Sequence, residues 1–197
     1  SLRISDAVTS GSFGDQTFSK SLVNEAGETT AQSSPFSGGI RQSHFEAQFD
    51  VFSTMAAQQS GMLVSISPDR GDGARMSYVR LEDGVAGINA FFSDYQDAAP
   101  FGSLATPALG CGAEDDFRDT QIATGLSRSV PHRIRFVIDF VNGARNDVVK
   151  IYIDGSLVHT GTTWEDYFRW CTESGGGVVE TTPVNDVSRT VDSLLFR

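Results

Sequence analysis

Thiols, imidazoles and positive charge are all scarce in this chain. Its 197 residues include 2 Cys, 3 His and 3 Met, and 15 Lys and Arg stand against 25 Asp and Glu, a formal net charge of −10. A surface this acidic repels phosphate backbones and anionic headgroups, which sets aside nucleic acid and anionic membranes as partners. No apolar run reaches the ~18 residues that a membrane-spanning helix needs, so membrane insertion is not expected. His44, His132 and His159 do not stand at zinc-ligand spacing, and the two cysteines do not complete a set. Neither a Gly-x-Ser-x-Gly elbow nor a phosphate-binding glycine loop is present.

The two cysteines, Cys111 and Cys171, sit in loop-like stretches (Gly110-Cys111-Gly112 and Trp170-Cys171-Thr172). They are either one bridge tying two long loops, as suits an exported protein, or two unpaired thiols; the bridge is the expectation carried forward. The chain begins at Ser1 and stops on Ser193-Leu194-Leu195-Phe196-Arg197. It therefore reads as an excised domain or a mature product whose export signal has been removed, secreted or held at a cell surface.

What the chain has in quantity is core material in strand-like packets. Hydrophobic residues are 39%, with 14 Phe, and charged residues are 20%. That suits one folded domain, residues 1–197, rather than a disordered chain. Apolar residues alternate with polar ones at period two, the strand signature. Phe45, Ala47, Phe49 and Val51 do so, as do Met62, Val64 and Ile66. So do Ile134, Phe136, Ile138 and Phe140, and then Val149, Ile151 and Ile153. Turn residues separate these runs: 67–73, Glu82-Asp83-Gly84, 142–146 and Asp154-Gly155. Helical periodicity is lacking, beyond a turn or two at 163–170. The expected fold is all-β, a two-sheet antiparallel sandwich. Two stretches, 94–119 and 173–188, read as long loops.

The segment His132-Arg133-Ile134-Arg135-Phe136-Val137-Ile138-Asp139-Phe140 is followed by 148–160, which holds Tyr152-Ile153-Asp154-Gly155. Together they resemble the concanavalin A-like lectin and glucanase superfamily, including laminin-G-like domains of the bacterial secreted type. Residues 190–197 resemble that superfamily's closing strand. The resemblance implies a jelly-roll sandwich with one concave face. It does not imply an activity, because this fold hosts lectins, hydrolases, lyases and adhesion modules.

The glucanases of the superfamily place two carboxylates at alternate positions of one strand. Glu46 and Asp50 share a strand face, yet four positions at strand rise put them about 13 Å apart, too far for either glycosidase geometry. Glu114-Asp115-Asp116 lacks the spacing. A lyase needs Arg, Tyr or His on a sheet face, and Arg80, Tyr95, Arg135 and Tyr152 supply those types. Sugar binding needs aromatic faces and planar polar groups. Trp164, Tyr167 and Trp170 cluster in one short segment, with Tyr95 in the long loop. Trp164, with Phe168, reads rather as a cap on the sandwich core, and Tyr167 and Trp170 are the better candidates for exposure. The resemblance also implies a structural calcium, with Asp192 entering the last strand and Asp15, Asp6 or Glu25 completing its oxygen ligands. The turn at 69–73 is the rival site, and such Asp residues otherwise bond their own backbone.

The expected function is a non-catalytic extracellular carbohydrate-binding or adhesion module whose partner is a glycan or cell-surface polysaccharide. Arg80, Tyr95, Arg135, Trp164, Tyr167 and Trp170 are its candidate contacts. The alternatives are a polysaccharide-cleaving lyase or hydrolase, and a structural domain of a larger secreted protein.

Overall fold

The computed structural model describes residues 18–21, 32–33, 36–37, 43–69, 77–95, 117–141, 146–164 and 193–196. Asp6, Asp15, Glu25, Cys111, Tyr167, Trp170, Cys171 and Asp192 lie outside the described residues, so the bridge and the calcium ligands are not placed by it.

Every element among the described residues is a strand. In chain order they are β1 (Phe18–Ser21), β2 (Gln32–Ser33), β3 (Phe36–Ser37), β4 (His44–Val51), β5 (Leu63–Asp69) and β6 (Tyr78–Gly84). Then come β7 (Gly87–Tyr95), β8 (Phe117–Leu126), β9 (His132–Asp139), β10 (Val148–Ile153), β11 (Ser156–Gly161) and β12 (Ser193–Phe196). A six-stranded sheet runs β1-β12-β5-β6-β7-β8, and a four-stranded sheet runs β11-β10-β9-β4. β2 and β3 pair only with each other, and every pairing is antiparallel. The chain changes sheet between β4 and β5, β8 and β9, and β11 and β12. This is the all-β, two-sheet sandwich that the alternation predicts.

Alternation decides which side chains go inside. β6 alternates half-buried and buried along its whole length, and β10 does the same. Ile66, Val79, Ala90 and Phe92 of the larger sheet meet Ile134, Phe136, Ile138, Val149 and Ile151 of the smaller one in one core. Phe92 and Phe136 touch across the gap, with ring centroids 6.1 Å apart. Phe49 and Phe196 do so further along, also at 6.1 Å.

Two expectations about turns and loops are corrected. β6 continues through Glu82-Asp83-Gly84, and the turn is Val85-Ala86. Asp83 is buried with a partner on each carboxylate oxygen: the Gln59 amide donates to one at 2.7 Å and the Arg128 guanidinium to the other at 2.7 Å. Gly87 then opens β7 with φ +138°, where a Cβ would lie 2.5 Å from the Leu126 carbonyl oxygen. The long loop is also shorter than expected, because β7 extends to Tyr95 and β8 begins at Phe117. β8 was not legible in the sequence. It is an edge strand, mostly exposed, and carries no apolar alternation.

Candidate functional site

The four-stranded sheet buries one face and presents the other to water. Residues that alternate with the core line this outer face, and register groups them in rows. Glu46 stands opposite Val137, which stands opposite Lys150; Gln48 stands opposite Arg135, which stands opposite Tyr152. His44 pairs with Asp139 at one end, and Asp50 with Arg133 at the other.

These side chains bond one another. Asp139 Oδ1 lies 2.7 Å from His44 Nδ1, and Lys150 Nζ lies 3.7 Å from Asp139 Oδ2. Arg135 Nε lies 2.9 Å from Glu46 Oε1, and the guanidinium carbon sits 4.7 Å from the centre of the Tyr152 ring. Arg133 donates two hydrogen bonds to Asp50, at 2.8 and 3.1 Å. That pairing holds the Asp50 carboxyl below its ordinary range and Arg133 above its own. At the row's end His132 lies between two oxygens. Its Nδ1 is 2.7 Å from Asp154 Oδ2 and its Nε2 is 3.1 Å from the Ser127 carbonyl. The His132 bond, then the Arg133 amide, lower the Asp154 pKa. The outcome is a grid of planar polar groups on the outer face with one aromatic ring in it. Glu46 and Asp50 are each held by a different arginine.

The sequence-predicted contacts do not converge. Arg135 lies on this face. Arg80 lies on the outer face of the other sheet, where Glu82 at 3.0 Å and Asp119 at 2.6 Å hold it over the Phe91 ring. Tyr95 is a correction: it closes β7, is 1% exposed and packs on Phe117 at 4.9 Å. Trp164 is a second correction to the stacking reading. It is 4% exposed, donates Nε1–H to the Ser93 carbonyl and packs edge-on against Tyr78 and Phe117. Its core-capping role is the one the structure shows, because a large ring is worth most where it is dry. Sequence reasoning passed over His44, Gln48, Asp139 and Lys150 as site residues. The signal for them was the polar half of the alternation, used only to locate the apolar half.

Among the described residues, no group of three or more His, Cys, Asp or Glu is placed to hold a metal ion. Among the same residues, no helix is long and apolar enough to cross a membrane.

No family model and no curated protein matches this sequence. Solved structures do resemble it. The alginate lyase Aly36B is 13% identical, with 81% of this chain and 60% of that one covered and a TM-score of 0.41. This chain therefore spans 60% of that lyase's length. A mutant of the same enzyme in complex with alginate tetrasaccharide gives 14% identity, 80% and 68% coverage and a TM-score of 0.38. The endo-β-1,4-glucuronan lyase of the fungus Trichoderma reesei gives 12%, 80%, 68% and 0.35. Likeness of this degree carries no residue correspondence.

Proposed function

We propose that this chain is a non-catalytic carbohydrate-binding or adhesion module of the concanavalin A-like kind, working outside the cell on a glycan or cell-surface polysaccharide. The observation that supports it is the row Gln48, Arg135 and Tyr152, flanked by Glu46, His44, Asp139 and Lys150, on one exposed sheet face. Sugars present hydroxyl groups in fixed directions around an apolar ring face. Planar amides, carboxylates and guanidinium groups meet the hydroxyls, and an aromatic ring meets the face. A sheet fixes the backbone beneath such groups, so binding has only side chains to order.

A second reading has its own support. His44 is oriented by Asp139, and Tyr152 is on the same face. A histidine oriented by a carboxylate offers a base for cleaving a polysaccharide, while register sets the Tyr152 phenol four strand positions from the His44–Asp139 pair, about 13 Å along the sheet. A panel of polysaccharides separates the two. Binding without new chain ends supports the module, and new reducing or unsaturated ends that disappear in His44→Ala overturn it. Export, a Cys111–Cys171 bridge and a calcium held by Asp192 and Asp15 complete the proposal. A count of free thiols in denatured, unreduced protein tests the bridge, and thermal unfolding with and without chelator tests the calcium.

A further inference from the structure

Charge on the candidate face is organised in a way that selects among glycans. Its cations among the described residues are Arg133, Arg135 and Lys150, and its carboxylates are Glu46, Asp50, Asp139 and Asp154. Each arginine is already matched. Asp50 takes Arg133 through both oxygens, and Glu46 takes Arg135 at 2.9 Å. Asp139 lies between His44 and Lys150. The four carboxylates outnumber the three fixed cations, in line with a net charge of −10 over the whole chain.

A sugar carboxylate arriving here meets guanidinium groups that are already neutralised. It would have to displace Glu46 or Asp50 and leave that carboxylate unpaired. A hydroxyl meets the opposite situation. An ionised carboxylate accepts about four hydrogen bonds, and the internal pairings occupy only part of that capacity. Glu46 and Asp139, whose side chains are 43% and 42% exposed, keep acceptor sites facing water.

Resting on the carbohydrate reading above, we infer that the ligand is an uncharged, hydroxyl-rich glycan and that polyuronates are disfavoured. The outer face of the six-stranded sheet obeys the same rule, with the Arg80 guanidinium shared between Glu82 and Asp119. On the two outer faces Arg80, Arg133 and Arg135 each stand against a carboxylate of the same sheet.

Titration of the whole domain with neutral hexose oligosaccharides and with oligouronates of equal length tests this, each at low and high salt. Expected are neutral-sugar affinities that stay within about twofold as salt rises, because no net charge is exchanged, and oligouronate affinities at least about tenfold weaker. Glu46→Gln releases Arg135, so oligouronate binding should rise about tenfold in that variant at low salt. Asp50→Asn releases Arg133 in the same way and serves if the first variant unfolds at a lower denaturant concentration than the wild type. Oligouronates bound more tightly than neutral sugars by the wild type would overturn the inference and leave the carbohydrate reading standing. Binding of neither class would overturn the carbohydrate reading and the inference with it.

Discussion

The Arg135 guanidinium lies over the Tyr152 ring, 4.7 Å from its centre, because β9 and β10 place the two residues directly opposite each other. Glu46 fixes the same guanidinium from the other side, so the arginine is a clamp between a carboxylate and a ring. Exposed cation–ring and ion pairs are each worth about 0.5–1 kcal/mol. Arg135→Ala and Tyr152→Ala should each weaken glycan binding about tenfold, and the double variant should lose less than the two single losses combined. Calorimetry on the three variants measures this. Strict additivity would mean the clamp does not act as a unit.

A second expectation concerns what holds the turn end of the sandwich. Asp83 has no exposed side-chain surface, Arg128 lies 2.7 Å from it, and the Gln59 amide donates to its other oxygen. Removing one member of such a buried pair leaves the other charge unmatched, which costs about 3–5 kcal/mol. Asp83→Ala should therefore lower the denaturation midpoint sharply, and Arg128→Ala should do nearly as much. Asp139→Asn, on the exposed face, should change stability by less than about 1 kcal/mol. Urea unfolding of the three variants decides the ranking.

Trp164 gives a third test, and it separates a packing role from a contact role. The ring is buried between Tyr78 and Phe117, at centroid distances of 5.7 and 4.8 Å. Trp164→Ala should cost about 3–5 kcal/mol, as large-to-small core changes do. The surviving folded fraction should bind glycan with unchanged affinity. Loss of affinity in a Trp164→Phe protein of normal stability would return this residue to the binding surface.

These cases show where the fold and the site were legible in the sequence. β4, β9 and β10 each bury one side, so their apolar periodicity specifies both the strand and its register face. β8 buries little, so the sequence of its ten residues carries no such pattern; its strand state comes from the β7 edge it pairs with. Asp83 reads as a turn residue because turns are where unpaired Asp belongs, and its two partners are distant in sequence. Tyr95 reads as an exposed loop residue, and Trp164 as either a core cap or a stacking residue, because the strand end and the carbonyl that bury them are set by tertiary contacts. The candidate face was half legible. Arg135 and Tyr152 were singled out by type, but only the register shows that they form one row with Gln48 and lie on the opposite side of the molecule from Arg80.

The last expectation is a pH dependence with a defined sign. His159 sits against Phe92, with centroids 5.0 Å apart, and burial lowers its pKa from the ordinary 6.5, while the Asp94 charge opposes that shift. The depressed value belongs to the folded state, so below pH 6.5 the unfolded chain takes up a proton that the folded chain resists. Stability linked to this group is complete above the unfolded value and is lost as pH falls toward the folded one. Between about pH 7.5 and 5.5 most carboxylates remain ionised, so imidazoles dominate the change. The denaturation midpoint should fall across that window, and His159→Gln should flatten the fall, since glutamine fills similar space without binding a proton. Urea titrations at several pH values measure both slopes. An unchanged slope in the variant would overturn the assignment of the acid sensitivity to the imidazole packed against Phe92.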